Sequence, residues 1–151
     1  MAYFGVDPGK SGAIALIDKD GYTMNYVRLN ETTGDISGFI KDYAKIVDYC
    51  IVEKVASRPM QGVRSVFTFG ENFGLVQGLL IAHNVRFELH TPGVWMKKMR
   101  LITRGIKGAE KKRIHKQRAQ EVFMNSKNIT LTTADAFLLA EYARRLDRGM
   151  F

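Results

Sequence analysis

Residues 4–12, FGVDPGKSG, decide the fold: an apolar run ends on a carboxylate, Asp7, and Pro8, Gly9 and Gly12 then turn the chain back at once. A carboxylate at the end of a buried strand is costly unless something cationic meets it. The candidates are a metal ion, a basic side chain or a phosphate-binding turn. Working outward, Tyr3 to Asp7 reads as a short strand. SGAIALI (11–17), DKDG (18–21) and YTMNYVRL (22–29) read as a hairpin with Gly21 closing its turn. The first three strands therefore form a meander.

Beyond the loop NETTG (30–34), Asp35 reads as the N-cap of a helix whose apolar positions Ile36, Phe39, Ile40, Tyr43, Ala44 and Val47 share one face. YCIVEKV (49–55) is a β-branched run of strand length with Glu53 near its end. A strand, a long helix and another strand imply a parallel crossover, which lays this fourth strand beside the first and makes Asp7 and Glu53 neighbours. The stretch 57–83 begins as a loop and becomes a Phe- and Leu-rich helix, with Gly70, Gly74 and Gly78 at four-residue intervals. VRFELH (85–90) is a fifth strand, TPGVW (91–95) starts a short helix, and AEKKRIHKQRAQEVF (109–123) is helical. The last helix begins at TTADAFLLAEYARRL (132–146), capped by Thr132 or Thr133, with Asp135 in the first turn, where the positive end of the helix favours a carboxylate. The fold class is α/β, a mixed five-stranded sheet covered by helices, in one domain over residues 1–151.

With 46% hydrophobic and 25% charged residues, the composition is that of a globular domain. The single cysteine, Cys50, lies in an apolar stretch, which excludes a disulfide framework and a Cys-based zinc site. The longest apolar stretch, 74–82, is about half a membrane span, so the expectation is a cytoplasmic protein with no membrane partner. Net charge is +8, and between Lys97 and Arg118 ten Lys or Arg face the single acid Glu110. Such a run is usually a solvated helix face, but this bias is heavier than solubility requires and favours nucleic-acid contact. The expected DNA contacts there are Lys97, Lys98, Arg100, Arg104, Lys107, Lys112 and Lys116. The loop 56–64 adds Arg58 and Arg64, with Met60 a candidate to unstack bases; a plain connection is its other reading. Trp95 reads as a core residue. His83, His90 and His115 share no metal-ligand spacing and read as structural or surface residues.

Asp7, Glu53 and Asp135 stand at special places. Taken singly they read as a turn former, a surface residue and a helix-capping residue. Clustered, they cannot all ionise without a counter-cation, and an oxygen-only donor set suits Mg²⁺ or Mn²⁺. Two such ions about 4 Å apart activate water and steady the leaving oxygen of a phosphodiester.

GVDPGKSGAIALID (5–18), IVEKV (51–55) and TTADAFLLAEYA (132–143), in that order, resemble the RuvC-type Holliday junction resolvases of the RNase H-like superfamily, particularly the small bacteriophage-encoded branch. The likeness runs from Tyr3 to about Ala143. It implies an RNase H-like sheet with helices on both faces, and Asp7, Glu53 and Asp135 as metal-binding catalytic acids using Mg²⁺, with Mn²⁺ as a substitute. It also implies symmetric nicking of four-way DNA junctions by a homodimer, without a nucleotide cofactor. The family places a lysine near the scissile phosphate, and GAEKKRI (108–114) carries that role onto Lys111, with Lys112 adjacent. The chain departs from the family at Thr132, where an Asp or His is usual. Two other readings compete. A sugar-kinase or actin-like ATPase shares the Asp-Gly turn but needs two such lobes, and a non-catalytic branched-DNA-binding protein would keep the fold without the chemistry.

Overall fold

In the computed structural model, which describes residues 1–54, 62–101 and 103–151, alternation along the strands sorts the core onto two faces of one sheet. The strands are β1 (Ala2–Asp7), β2 (Ala13–Asp18), β3 (Thr23–Arg28), β4 (Val47–Glu53) and β5 (Phe87–His90), in the spatial order β3-β2-β1-β4-β5. β1, β2 and β3 pair antiparallel as the meander requires, and β1–β4 and β4–β5 pair parallel. Helices α1 (Thr33–Tyr43) and α2 (Val63–Ala82) cover one face, packing on Phe4, Val6, Ile14, Leu16, Cys50 and Val52. Helices α3 (Pro92–Lys98), α4 (Gly108–Val122) and α5 (Ala134–Asp147) cover the other, over Tyr3, Ala15, Ile17, Tyr49 and Ile51. The mixed five-stranded sheet with helices on both faces is as expected. No helix among the described residues is long and apolar enough to cross a membrane.

The first helix differs from the sequence reading at both ends. Thr32, not Asp35, is its N-cap: the Thr32 hydroxyl accepts from the Asp35 N–H at 3.1 Å, and the Asp35 carboxylate accepts from the Thr32 N–H at 3.2 Å. This reciprocal capping box satisfies two otherwise orphaned donors. At the other end the helix stops at Tyr43. A turn closed by the Ile46 N–H on the Tyr43 carbonyl releases Val47 into β4, where it packs against the α1–α2 side of the core.

The position of α5 depends on Gly5. A Cβ at Gly5 would lie 2.1 Å from both the Ala136 carbonyl oxygen and the Ala140 nitrogen, so the helix backbone rests directly on β1. Only glycine allows that approach, and it brings the first turn of α5 to the end of β1.

Candidate active site

β1 and β4 run parallel with Val6 opposite Val52, so Asp7 and Glu53 lie one residue further along adjacent strands. By the period of two, both side chains share the face of Tyr3, Tyr49 and Ile51, the face covered by α5. Asp135 enters from the first turn of α5. The turn after β1 is built around Asp7. Its Oδ1 accepts from the Gly9 N–H at 3.0 Å, the Gly12 N–H donates to the Gly9 carbonyl at 2.9 Å, and a Cβ at Gly12 would collide with the Asp7 carbonyl oxygen at 1.9 Å.

Asp135 acts on both strand-end acids, and Asp7 on Glu53. Burial first, then repulsion from Asp135, raises the Asp7 carboxyl to about 6, against the opposing pull of the Gly9 N–H, Lys112 and His115. Burial first, then Asp7, raises Glu53 to about 8, while the Trp95 N–H and Lys111 pull it down. The lysines thus divide between the acids: Lys111 acts on Glu53 and Lys112 on Asp7. This donor set is oxygen-rich and short of positive charge, the condition a hard divalent cation relieves. No three His, Cys, Asp or Glu side chains among the described residues converge on one ion-sized point.

Two further residues belong to the site. Trp95, in α3, is fully buried as expected, but its indole N–H also donates to Glu53 Oε2 at 2.7 Å. β5 delivers it there: His90 pairs with Glu53 in register, and α3 starts with Pro92 directly after the strand. His115, in α4, is buried, with Nδ1 2.6 Å from Asp135 Oδ1. Against a carboxylate acceptor Nδ1 is the donor, and Nε2 is buried without a partner among the described residues. The two rings meet edge to face at 6.0 Å, joining the groups that hold Glu53 and Asp135. Metal-ligand spacing among the histidines does not reveal His115. Its position four residues after Lys111, on the same helix face, would have done so.

Thr132 is tied into a local turn, its hydroxyl 3.1 Å from that of Thr130. Thr133 occupies the N-cap position of α5 without capping it, because its hydroxyl donates to the Asn128 carbonyl at 2.6 Å. Of the basic residues, Lys97, Lys98, Arg100, Arg104, Lys107 and Lys112 are exposed around α3, α4 and their connection, and Lys116 is half-buried on α4. Arg64 is exposed in the first turn of α2. Arg58 and Met60 lie outside the described residues.

No family model matches the sequence, and no curated protein matches it either. Solved structures do. A Thermus thermophilus RuvC in complex with a Holliday junction substrate superposes with a TM-score of 0.70 at 14% identity, covering 99% of this chain and 97% of that one. A second Thermus thermophilus RuvC structure gives a TM-score of 0.71 at the same identity and coverage. The chain has the RuvC fold.

Proposed function

We propose that the protein is a divalent-metal-dependent endonuclease that nicks four-way DNA junctions symmetrically as a homodimer, like the phage-encoded RuvC-type resolvases that its sequence resembles. The observation that carries this reading is the placing of Asp7 and Glu53 at adjoining strand ends beside Asp135 of α5, with Asp135 raising the proton affinity of both and Asp7 that of Glu53. Those three carboxylates would hold Mg²⁺ or Mn²⁺, with part of each coordination shell coming from outside the protein, as Mg²⁺ ordinarily requires. Bound there, the ion supplies Lewis acidity towards a phosphodiester and the water that attacks it.

The remaining work falls to the chain's own side chains. Trp95 and His115 orient Glu53 and Asp135. Lys111 and Lys112 bring positive charge to the position of the scissile phosphate. Arg64, Lys97, Lys98, Arg100, Arg104, Lys107 and Lys116 meet the DNA backbone. A four-way junction has approximate two-fold symmetry, so paired nicks need two sites related in the same way. The α2 surface suits that contact: Val63 and Phe67 are 88% and 67% exposed, and none of the described residues lies within 4 Å of a Cβ at Gly70, Gly74 or Gly78.

The test is nicking of a synthetic junction in Mg²⁺, Mn²⁺ or EDTA. Asp7→Asn, Glu53→Gln and Asp135→Asn are each expected to reduce nicking below detection while junction binding survives. Binding without metal-dependent nicks in the unsubstituted protein would leave a branched-DNA-binding protein instead.

A further inference from the structure

The cations of α3, α4 and α5 do not all face the acids. Lys98, Arg100, Arg118 and Arg145, with Phe151, line a cavity of about 500 Å³ between the end of α3, the middle of α4 and the last turn of α5. A smaller hollow of about 180 Å³, sharing Arg100 and Arg118, extends it along α4 towards Ile114.

Charge in this cavity is only partly balanced. Glu121 accepts from Arg118 at 3.3 Å, and buried Glu141 accepts from the Arg145 Nε–H at 2.7 Å while also holding Arg144. Lys98 and Arg100 make no ion pair among the described residues. Arg118 Nε is buried without a partner among the described residues. Glu141 pins Arg145 by its Nε alone, so the guanidinium is oriented in advance while its terminal amino groups have no partner among the described residues. The Lys98 ammonium stands 5.3 Å from the centre of the Phe151 ring, which packs on Tyr142. Two oriented guanidiniums, of Arg118 and Arg145, and the two cations Lys98 and Arg100 around a polar hollow match a ligand with several acceptor oxygens and negative charge, which is a phosphate.

Ten residues of α5 separate Arg145 from Asp135, about 15 Å along the helix axis, or about four nucleotides of duplex rise. We propose that this cavity is a phosphate clamp, taking a DNA backbone phosphate about four to five nucleotides from the phosphate at the acids. The distance from the nick rests on the nuclease reading above; the clamp itself rests on the cavity.

The experiment measures binding of the full chain to a synthetic junction and to a plain duplex, each carrying single neutral methylphosphonates at successive positions. Lys98→Ala/Arg100→Ala is expected to weaken binding about tenfold and to lower the slope of log affinity against log salt by about two. One methylphosphonate position should weaken binding of the unsubstituted protein and leave the double variant unaffected. An unchanged salt slope, or the same methylphosphonate profile for both proteins, overturns the clamp. So does calorimetric binding of inorganic phosphate that needs Lys98 and Arg100 while DNA binding ignores them. Absence of junction nicking, with duplex binding still dependent on the two cations, overturns the nuclease reading and supports the clamp.

Discussion

α5 and α2 cover opposite faces of the same sheet, and one chain completes only the first. In α5 every residue from Ala134 to Ala143 except Asp135 is buried, polar Glu141 among them. In α2, twenty residues long, only Val76 and Leu80 are buried, and the N-terminal half presents Val63 and Phe67 to solvent. α5 is held by packing so tight that a methyl group does not fit between it and β1, whereas the glycines of α2 meet none of the described residues within 4 Å. The lesson is a division of labour: Asp135, which faces the strand-end carboxylates Asp7 and Glu53, sits on the helix with no freedom, and the helix with spare apolar surface is the one open to a partner.

The largest effect should come from breaking the tight side. Gly5→Ala drives a Cβ into the α5 backbone and should destabilise the fold by about 3 kcal/mol or more, the upper range for overpacking, as read by urea denaturation. If α5 instead moves aside at little cost, Asp135 moves with it, and nicking falls while stability holds.

The acids themselves set the next effect, and it depends on pH. Asp7 and Glu53 have carboxyl pKa values raised from 3.8 and 4.5 to about 6 and about 8, with burial the first cause of each. An acid whose pKa is higher folded than unfolded binds more protons in the folded state between those two values. Folding stability without divalent cation therefore falls as pH rises from about 4 to about 8. Glu53→Gln should remove part of that loss, making the variant more stable than the unsubstituted protein in EDTA at pH 8, with the gap closing near pH 4. Added Mg²⁺ should stabilise the unsubstituted protein at pH 8 and narrow the same gap.

Smaller again is the loss of the groups that hold the acids. Trp95→Phe keeps an aromatic ring in the core but loses the five-membered ring whose N–H holds Glu53; His115→Leu removes the donor to Asp135. Each should weaken Mn²⁺ binding about tenfold, the lower range for groups that orient metal ligands, measured by calorimetry without DNA. His115→Asn, whose amide nitrogen can stand in for Nδ1, should recover most of the loss. A purely packing role would give no such recovery.

Much of this architecture was legible in the sequence because it follows from local rules. Alternation and one helical crossover sufficed to put Asp7 and Glu53 on neighbouring strand ends. The features that escaped depend on contacts between distant segments. The cap of α1 is the local exception: Asp35 looks like a cap, but a box begun there ends on Gly38, which has no side chain to reciprocate, whereas one begun at Thr32 ends on Asp35. Trp95 satisfies every criterion for a core residue and still spends its one polar atom on Glu53. His115 meets Asp135 only because α4 packs beside α5, a placement that periodicity within α4 does not specify. Gly5 was hidden by its more conspicuous neighbours Gly9 and Gly12, since the need for a missing Cβ comes from a helix more than a hundred residues away.

The smallest expected effect returns to the open side and tests it most directly. Gly74 lies inside α2, and a Cβ there meets none of the described residues within 4 Å. In a helix interior alanine is favoured over glycine by about 0.5–1 kcal/mol, because glycine loses more backbone freedom on folding. Gly74→Ala should therefore stabilise the dilute protein by about that amount, opposite in sign to Gly5→Ala. The same methyl would stand at the closest approach of a second α2 in a homodimer packed across the glycine stripe. Raising the protein concentration should then erase or reverse the gain, and light scattering should show the variant dissociating at concentrations where the unsubstituted protein is paired. An equal gain at every concentration would mean that the glycines face water and that a partner, if one binds, sits elsewhere on the helix.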